Sequence, residues 1–108
     1  MVIAVEEGIK RVVNNKKLYH RLLKTFSGRK MADQIIEAAQ KNEFKEAADR
    51  CHALKGTAGN LAMRPLAEVT TQIEERLLAG ESADDLFPVL MENIDAVEVA
   101  IQEILAAD

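Results

Sequence analysis

The 108-residue chain has no tryptophan, one tyrosine and three phenylalanines, so its core must be built from Leu, Ile, Val, Ala and Met. It has one cysteine, Cys51, which excludes an intrachain disulfide and a cysteine zinc cluster and fits a reducing compartment. No run approaches the ~18 apolar residues of a membrane span. The first residues, Met1 to Glu7, lack the basic start and long apolar stretch of a signal peptide. Lys and Arg form no block: Lys16-Lys17 and Arg29-Lys30 are pairs, the net charge is −4 and the pI about 5.2. Nucleic acid is therefore not an expected partner. Nor is a membrane, and the expected location is the cytoplasm. No segment alternates like a strand, and there is no internal repeat, low-complexity tract or long linker.

What is present is 48% hydrophobic and 30% charged residues, rich in the helix formers Ala, Leu, Glu and Lys. One domain spanning residues 1–108 is expected. The apolar spacing predicts a first helix over about Ile3 to Val13, broken by Asn14-Asn15, and a second over about Lys16 to Phe26, ended by Ser27-Gly28. A third covers about Met31 to Gln40. Asn42 is read as the N-cap of a fourth, Glu43 to Leu61. Pro65 fits the first turn of a fifth, which ends near Gly80. Ser82 and Asp85 make a capping signal for the last helix, with Pro88 set to separate its first turn from the rest. From there Leu90, Ile94, Val97, Ile101 and Leu105 repeat at three- and four-residue steps. The expected fold is all-α: an up-down four-helix bundle made by the last four elements, with a short additional N-terminal helix as a cap.

The informative stretch is Arg50 to Leu61. With His52 set at zero on a helical wheel, Phe44, Ala47, Cys51, Leu54, Ala58 and Leu61 fall within roughly 180–280° and form one core-facing stripe. His52 points away from it. Lys45, Ala48, Lys55, Gly56 and Gly59 lie within about 60° of His52. A lone helical histidine is most often a plain surface residue. Here, however, two glycines inside a helix cost about 1 kcal/mol each relative to Ala, and a solvent-facing glycine contributes nothing to packing. Close approach of a partner to the imidazole gives that cost a reason. Lys55, one turn from His52, can reach a phosphoryl group on the ring.

The segment His52-Ala53-Leu54-Lys55-Gly56-Thr57-Ala58-Gly59-Asn60-Leu61 resembles the signature of histidine-containing phosphotransfer (HPt) domains, which runs His-x-Leu-Lys-Gly, three small residues, Asn, Leu or Ile, Gly. Only the last position departs: the family usually has Gly where this chain has Ala62, and a slight change at the helix end is expected. Asn15 to Phe26 and Ile73-Glu74-Glu75 are similar to flanking segments of the family. The resemblance implies His52 as phosphoacceptor on its outward nitrogen, Nε2, with Lys55 steadying the phosphoryl group. It implies partner contact around Lys45, Ala48, Gly56 and Gly59. Some family members place a Gln on the next helix near the phosphohistidine. That position is Glu74 here, with Gln72 close by, a departure from the pattern.

The implied role is a phosphoryl carrier between the aspartates of response-regulator receiver domains, in a relay with a hybrid sensor kinase. A monomer is expected, and a carrier and not an enzyme: Gly56 to Gly59 lies in a helix and lacks a P-loop's spacing, so no ATP site is expected. No bound cofactor is expected, and Mg²⁺ should come from the receiver. Two alternatives are a docking module that binds a receiver without phosphotransfer and an autophosphorylating kinase fragment. Met1 and the lack of an attached linker lean toward a free-standing protein.

His20 falls opposite the apolar side of its helix and is expected to be exposed, but it lacks the following Lys and Gly of the motif. Cys51 lies on the core stripe as a small apolar residue. Neither histidine has zinc-ligand spacing with it. Met31, Met63 and Met91 read as packing. Glu74, Glu75, Asp84, Asp85 and Glu92 read as solvated faces.

Overall fold

The computed structural model describes residues 2–12 and 14–107. The expected end of the first helix, Val13, lies outside them. Among the described residues every regular element is helical: α1 (Val5–Arg11), α2 (Lys16–Lys24), α3 (Gly28–Gln40), α4 (Phe44–Asn60), α5 (Arg64–Leu78), a 3₁₀ turn (Asp84–Leu86) and α6 (Phe87–Ala106). Helices α3 to α6 close a four-helix ring in which α4 packs against α3 and α5, and α6 against the same two helices from the far side. Ahead of the ring lie two short helices, split where the sequence places the break: Asn14 (φ +56°) turns the chain and the Asn15 side chain accepts from Leu18 N at 2.9 Å.

The reversals are short because three helices end in the same way. After α3, Glu43 N donates to Ala38 O at 2.9 Å and Asn42 N to Ala39 O at 3.0 Å. After α4, Met63 N donates to Ala58 O at 2.8 Å and Ala62 N to Gly59 O at 3.1 Å. After α5, Glu81 N donates to Arg76 O at 2.9 Å and Gly80 N to Leu77 O at 3.1 Å. Each pair closes a Schellman motif whose pivot is left-handed: Asn42 (φ +59°), Ala62 (+61°) and Gly80 (+74°). Asn42 therefore terminates α3 and does not cap α4; the N-cap position of α4 is Glu43. Ala62 is not a helical residue but a left-handed pivot. Such a site favours glycine, since an L-residue there costs roughly 1–2 kcal/mol.

Two further boundaries differ from the sequence reading. Gly28 opens α3 instead of closing α2. Its role is space: a Cβ there would lie 2.3 Å from the Phe26 ring. The Ser82 hydroxyl accepts from Asp84 N at 3.2 Å, at the start of the 3₁₀ turn and not of α6. Asp85 pairs with Arg76 of α5, and Pro88 sits in the first turn of α6, separating the two pieces.

The core is apolar and small-residue-rich where α4 passes between its neighbours. Ala47, Ala48, Cys51, Leu54 and Ala58 are buried on α4, facing Ile35 of α3, Leu66 and Ile73 of α5, and Leu90 and Ile94 of α6. Each large aliphatic side chain contributes about 1.5–3 kcal/mol by leaving water. Thr70, fully buried, donates to Leu66 O at 2.7 Å and so carries no unsatisfied hydroxyl. Among the described residues no helix is long and apolar enough to cross a membrane.

The N-terminal helices seal the α4–α5 turn. Ala4 N donates to Ala62 O at 2.9 Å, Tyr19 Oη donates to Leu61 O at 2.9 Å, and Arg64 grips Glu7 at 2.7 and 3.0 Å. Arg64 holds the Glu7 carboxyl below its usual range. Two carbonyls freed at the end of α4 are thereby satisfied from outside the bundle. Tyr19 is fully buried, and burial pushes its hydroxyl up to about 12. Tyr19→Phe should destabilise the protein by about 1–2 kcal/mol, because Leu61 O is left buried without its donor. A urea melt with an unchanged midpoint would show that this bond carries no net stability.

Candidate functional site

The site sits midway along α4. The predicted core stripe is observed: Ala47, Cys51, Leu54, Ala58 and Leu61 are buried, and Phe44 is half-buried. Burial pushes the Cys51 thiol up to about 12, so it stays neutral and packs as an apolar group behind the surface. On the opposite face the His52 side chain is 73% exposed.

The imidazole lies beside a carboxylate. Its Nδ1 lies 3.3 Å from Oε2 of Glu74, and the other Glu74 oxygen accepts a 2.8 Å bond from Lys55 Nζ. Glu74 is only 12% exposed and Lys55 32%, so the carboxylate sits in the seam between α4 and α5 with a ligand on each oxygen. With Nδ1 turned to the carboxylate, Nε2 is the ring nitrogen that faces outward. Glu74 was expected on a solvated face, and that expectation is wrong: it is the residue of α5 that reaches across to both candidate side chains of α4, His52 and Lys55. Gln72 is exposed and takes no part.

The surroundings are open. A Cβ added at Gly56 or Gly59 would meet nothing within 4 Å, so these glycines are not demanded by packing. Lys45 is exposed on the same face. Ala48 is not available to a partner: it is 1% exposed. The wheel placed it 40° from His52, but that side of α4 leans on α5, and the buried arc is wider than an apolar stripe alone indicates.

His20 is also misplaced by the wheel. It is 8% exposed, at 6.3 Å between ring centroids from Tyr19. It lines a groove together with Lys16, Lys17, Arg21, Lys24 and Leu105, so the end of α6 and long basic side chains cover it. That groove also gathers four cations of α2, where the sequence reading singled out only the Lys16-Lys17 pair.

The Glu74 carboxylate already has Lys55 and His52 on its two oxygens. Among the described residues no three His, Cys, Asp or Glu side chains come together as a set for a metal ion.

An exposed, carboxylate-oriented histidine with a lysine one turn away, in a glycine-smoothed helix face of a four-helix bundle, is the arrangement on which the family comparison bears. A family model described as Hpt domain matches residues 26–107, the whole of α3 to α6 with Phe26 and Ser27 before it. The chain belongs to the Hpt domain family. Helices α1 and α2 lie ahead of the matched segment. No curated protein and no solved structure matches the chain. Membership in the Hpt family supports a phosphotransfer-type role in two-component signalling, with response regulators or kinases as the kind of partner.

Proposed function

We propose that this Hpt domain, acting as one unit over residues 1–108, is a phosphoryl carrier between aspartates of receiver domains, with His52 as the phosphorylated residue. The observation that carries the reading is the exposed His52 ring turned by Glu74, which also holds Lys55.

In the proposed step the Nε2 lone pair attacks the phosphorus of a receiver's aspartyl phosphate. The N–P bond forms as the P–O bond to the aspartyl carboxylate breaks, and that carboxylate leaves with the bonding pair. The proton on Nδ1 stays in place, so the phosphorylated ring carries a positive charge, which the Glu74 carboxylate balances. Lys55 lies within a turn and offers its ammonium to the phosphoryl oxygens. Gly56 and Gly59 leave room for the receiver, and Lys45 borders the same face. A divalent cation on the equatorial oxygens is the receiver's contribution, Mg²⁺ by its chemistry. Onward transfer is the reverse, with a second aspartate carboxylate as the nucleophile. The partners are a receiver domain and a hybrid sensor kinase, the carrier works as a monomer in the cytoplasm, and it consumes no ATP itself.

The alternative, a module that docks a receiver without accepting phosphoryl groups, leaves the Glu74–His52–Lys55 arrangement without a purpose. Incubation with a phosphorylated receiver and Mg²⁺, followed by peptide mapping, separates the two. The carrier reading expects a single acid-labile, base-stable phosphoryl group on the peptide that contains His52. A stable complex with no phosphoryl group moved, or a group on another residue, contradicts it.

A further inference from the structure

We propose that Leu78 is the apolar anchor that seats the docking receiver beside His52. This rests on the carrier reading and adds a specific contact on the neighbouring helix.

Leu78 is 67% exposed, more than the other exposed large apolar residues Val99 (55%), Val89 (41%) and Leu22 (36%). A single exposed leucine needs no explanation; the position of this one does. Glu74 and Leu78 are one turn apart on the same side of α5. Glu74 reaches over to His52 and Lys55, so that side of α5 borders the outer face of α4. The two helices run antiparallel from the turn at Ala62, and a step toward the end of α5 is a step toward the start of α4. Leu78 therefore stands level with Ala48, one turn before His52. Ala48, outward by helical angle yet 1% exposed, agrees with α5 side chains lying over that part of α4.

His52 is thus flanked along the bundle by two unlike surfaces. On one side is an apolar knob at the end of α5, followed by exposed Ala79 and Gly80, which do not screen it. On the other is the bare helix surface of Gly56 and Gly59. A receiver that brings its phosphoryl group to Nε2 must cover far more than an imidazole, since an ordinary interface spans about 800 Å² per partner. Leu78 is one helical turn, about 5.4 Å along the axis, from the level of Glu74 and His52. A body docked on His52 therefore buries Leu78 as well. A few well-packed side chains near the centre of an interface carry most of the affinity, whereas contacts exposed at the rim contribute little.

The test compares Leu78→Glu with Val99→Glu, a change of the same kind on α6, across the bundle from α4. Each is measured for transfer from a phosphorylated receiver and for direct labelling of His52 by the small donor phosphoramidate. Leu78→Glu is expected to lower kcat/KM for receiver transfer by about tenfold or more. The loss should lie mainly in KM, with phosphoramidate labelling at the wild-type rate, and Val99→Glu should match wild type in both assays. Receiver transfer unchanged in Leu78→Glu, or reduced equally in Val99→Glu, overturns the anchor while the carrier reading stands. Loss of phosphoramidate labelling in Leu78→Glu overturns it too, by placing the effect in the chemistry or the fold. A wild-type protein that accepts nothing from any receiver takes down the carrier reading and the anchor together.

Discussion

Replacing His52 with Gln is expected to abolish phosphoryl uptake from a receiver without unfolding the bundle. The amide nitrogen of Gln has its lone pair delocalised into the carbonyl and is no nucleophile, so transfer should fall by about a thousandfold or more, to background. No second histidine can take over, since His20 is 8% exposed and lies on α2. Stability should change by no more than about 0.5 kcal/mol, because the side chain is mostly in water and fills no cavity. Thermal melting of the variant beside a receiver-transfer assay checks both halves. A variant that melts like wild type and still takes up label removes His52 from the chemistry.

The second large effect is expected at Glu74. Glu74→Ala removes the carboxylate that turns Nδ1 and holds Lys55, and should slow receiver transfer by about tenfold, equivalent to ~1.4 kcal/mol of barrier. The size follows from opposing considerations. In the free protein an ion pair with a largely exposed ring is worth only about 0–1 kcal/mol. Once a receiver excludes water, the same carboxylate stabilises the positive charge that develops on the ring more strongly. Glu74→Gln should fall between wild type and Ala, since an amide oxygen can still face Nδ1 but carries no charge to balance the ring. Rates for the three proteins at saturating receiver give the order wild type, Gln, Ala. Equal rates for Ala and wild type would reduce Glu74 to a structural tie for Lys55.

The helical architecture was legible because its signals are local. Apolar spacing, Asn15, Pro65 and Gly80 mark elements within a few residues of themselves, and the four long helices fall where the pattern puts them. The boundaries that differ are those where one residue type serves two ends of a helix. Asn42 was read as a start and is a left-handed stop. Gly28 was read as a stop and is a space-maker at a start. His52, Lys55 and Gly56 were readable since all three lie on one face of one helix. Glu74 was not readable from spacing alone, because its meaning depends on a second helix; only the family resemblance pointed to its position. The clue was present: His52 and Glu74 lie equally far on either side of Met63, so an antiparallel turn there brings them level. A helical wheel also assumes one buried side, which is why it exposed Ala48 and His20. Both are covered by neighbours the wheel does not contain, α5 for the first and the end of α6 for the second.

The most direct test of the central claim is ³¹P NMR of the protein after phosphotransfer from a receiver, under denaturing alkaline conditions that preserve phosphohistidine and separate its two ring isomers. With Nδ1 held by Glu74, the account predicts a single resonance from the Nε2-phosphorylated ring, absent in His52→Gln. A resonance from Nδ1-phosphohistidine, or from an acyl phosphate or phosphoester, would contradict it.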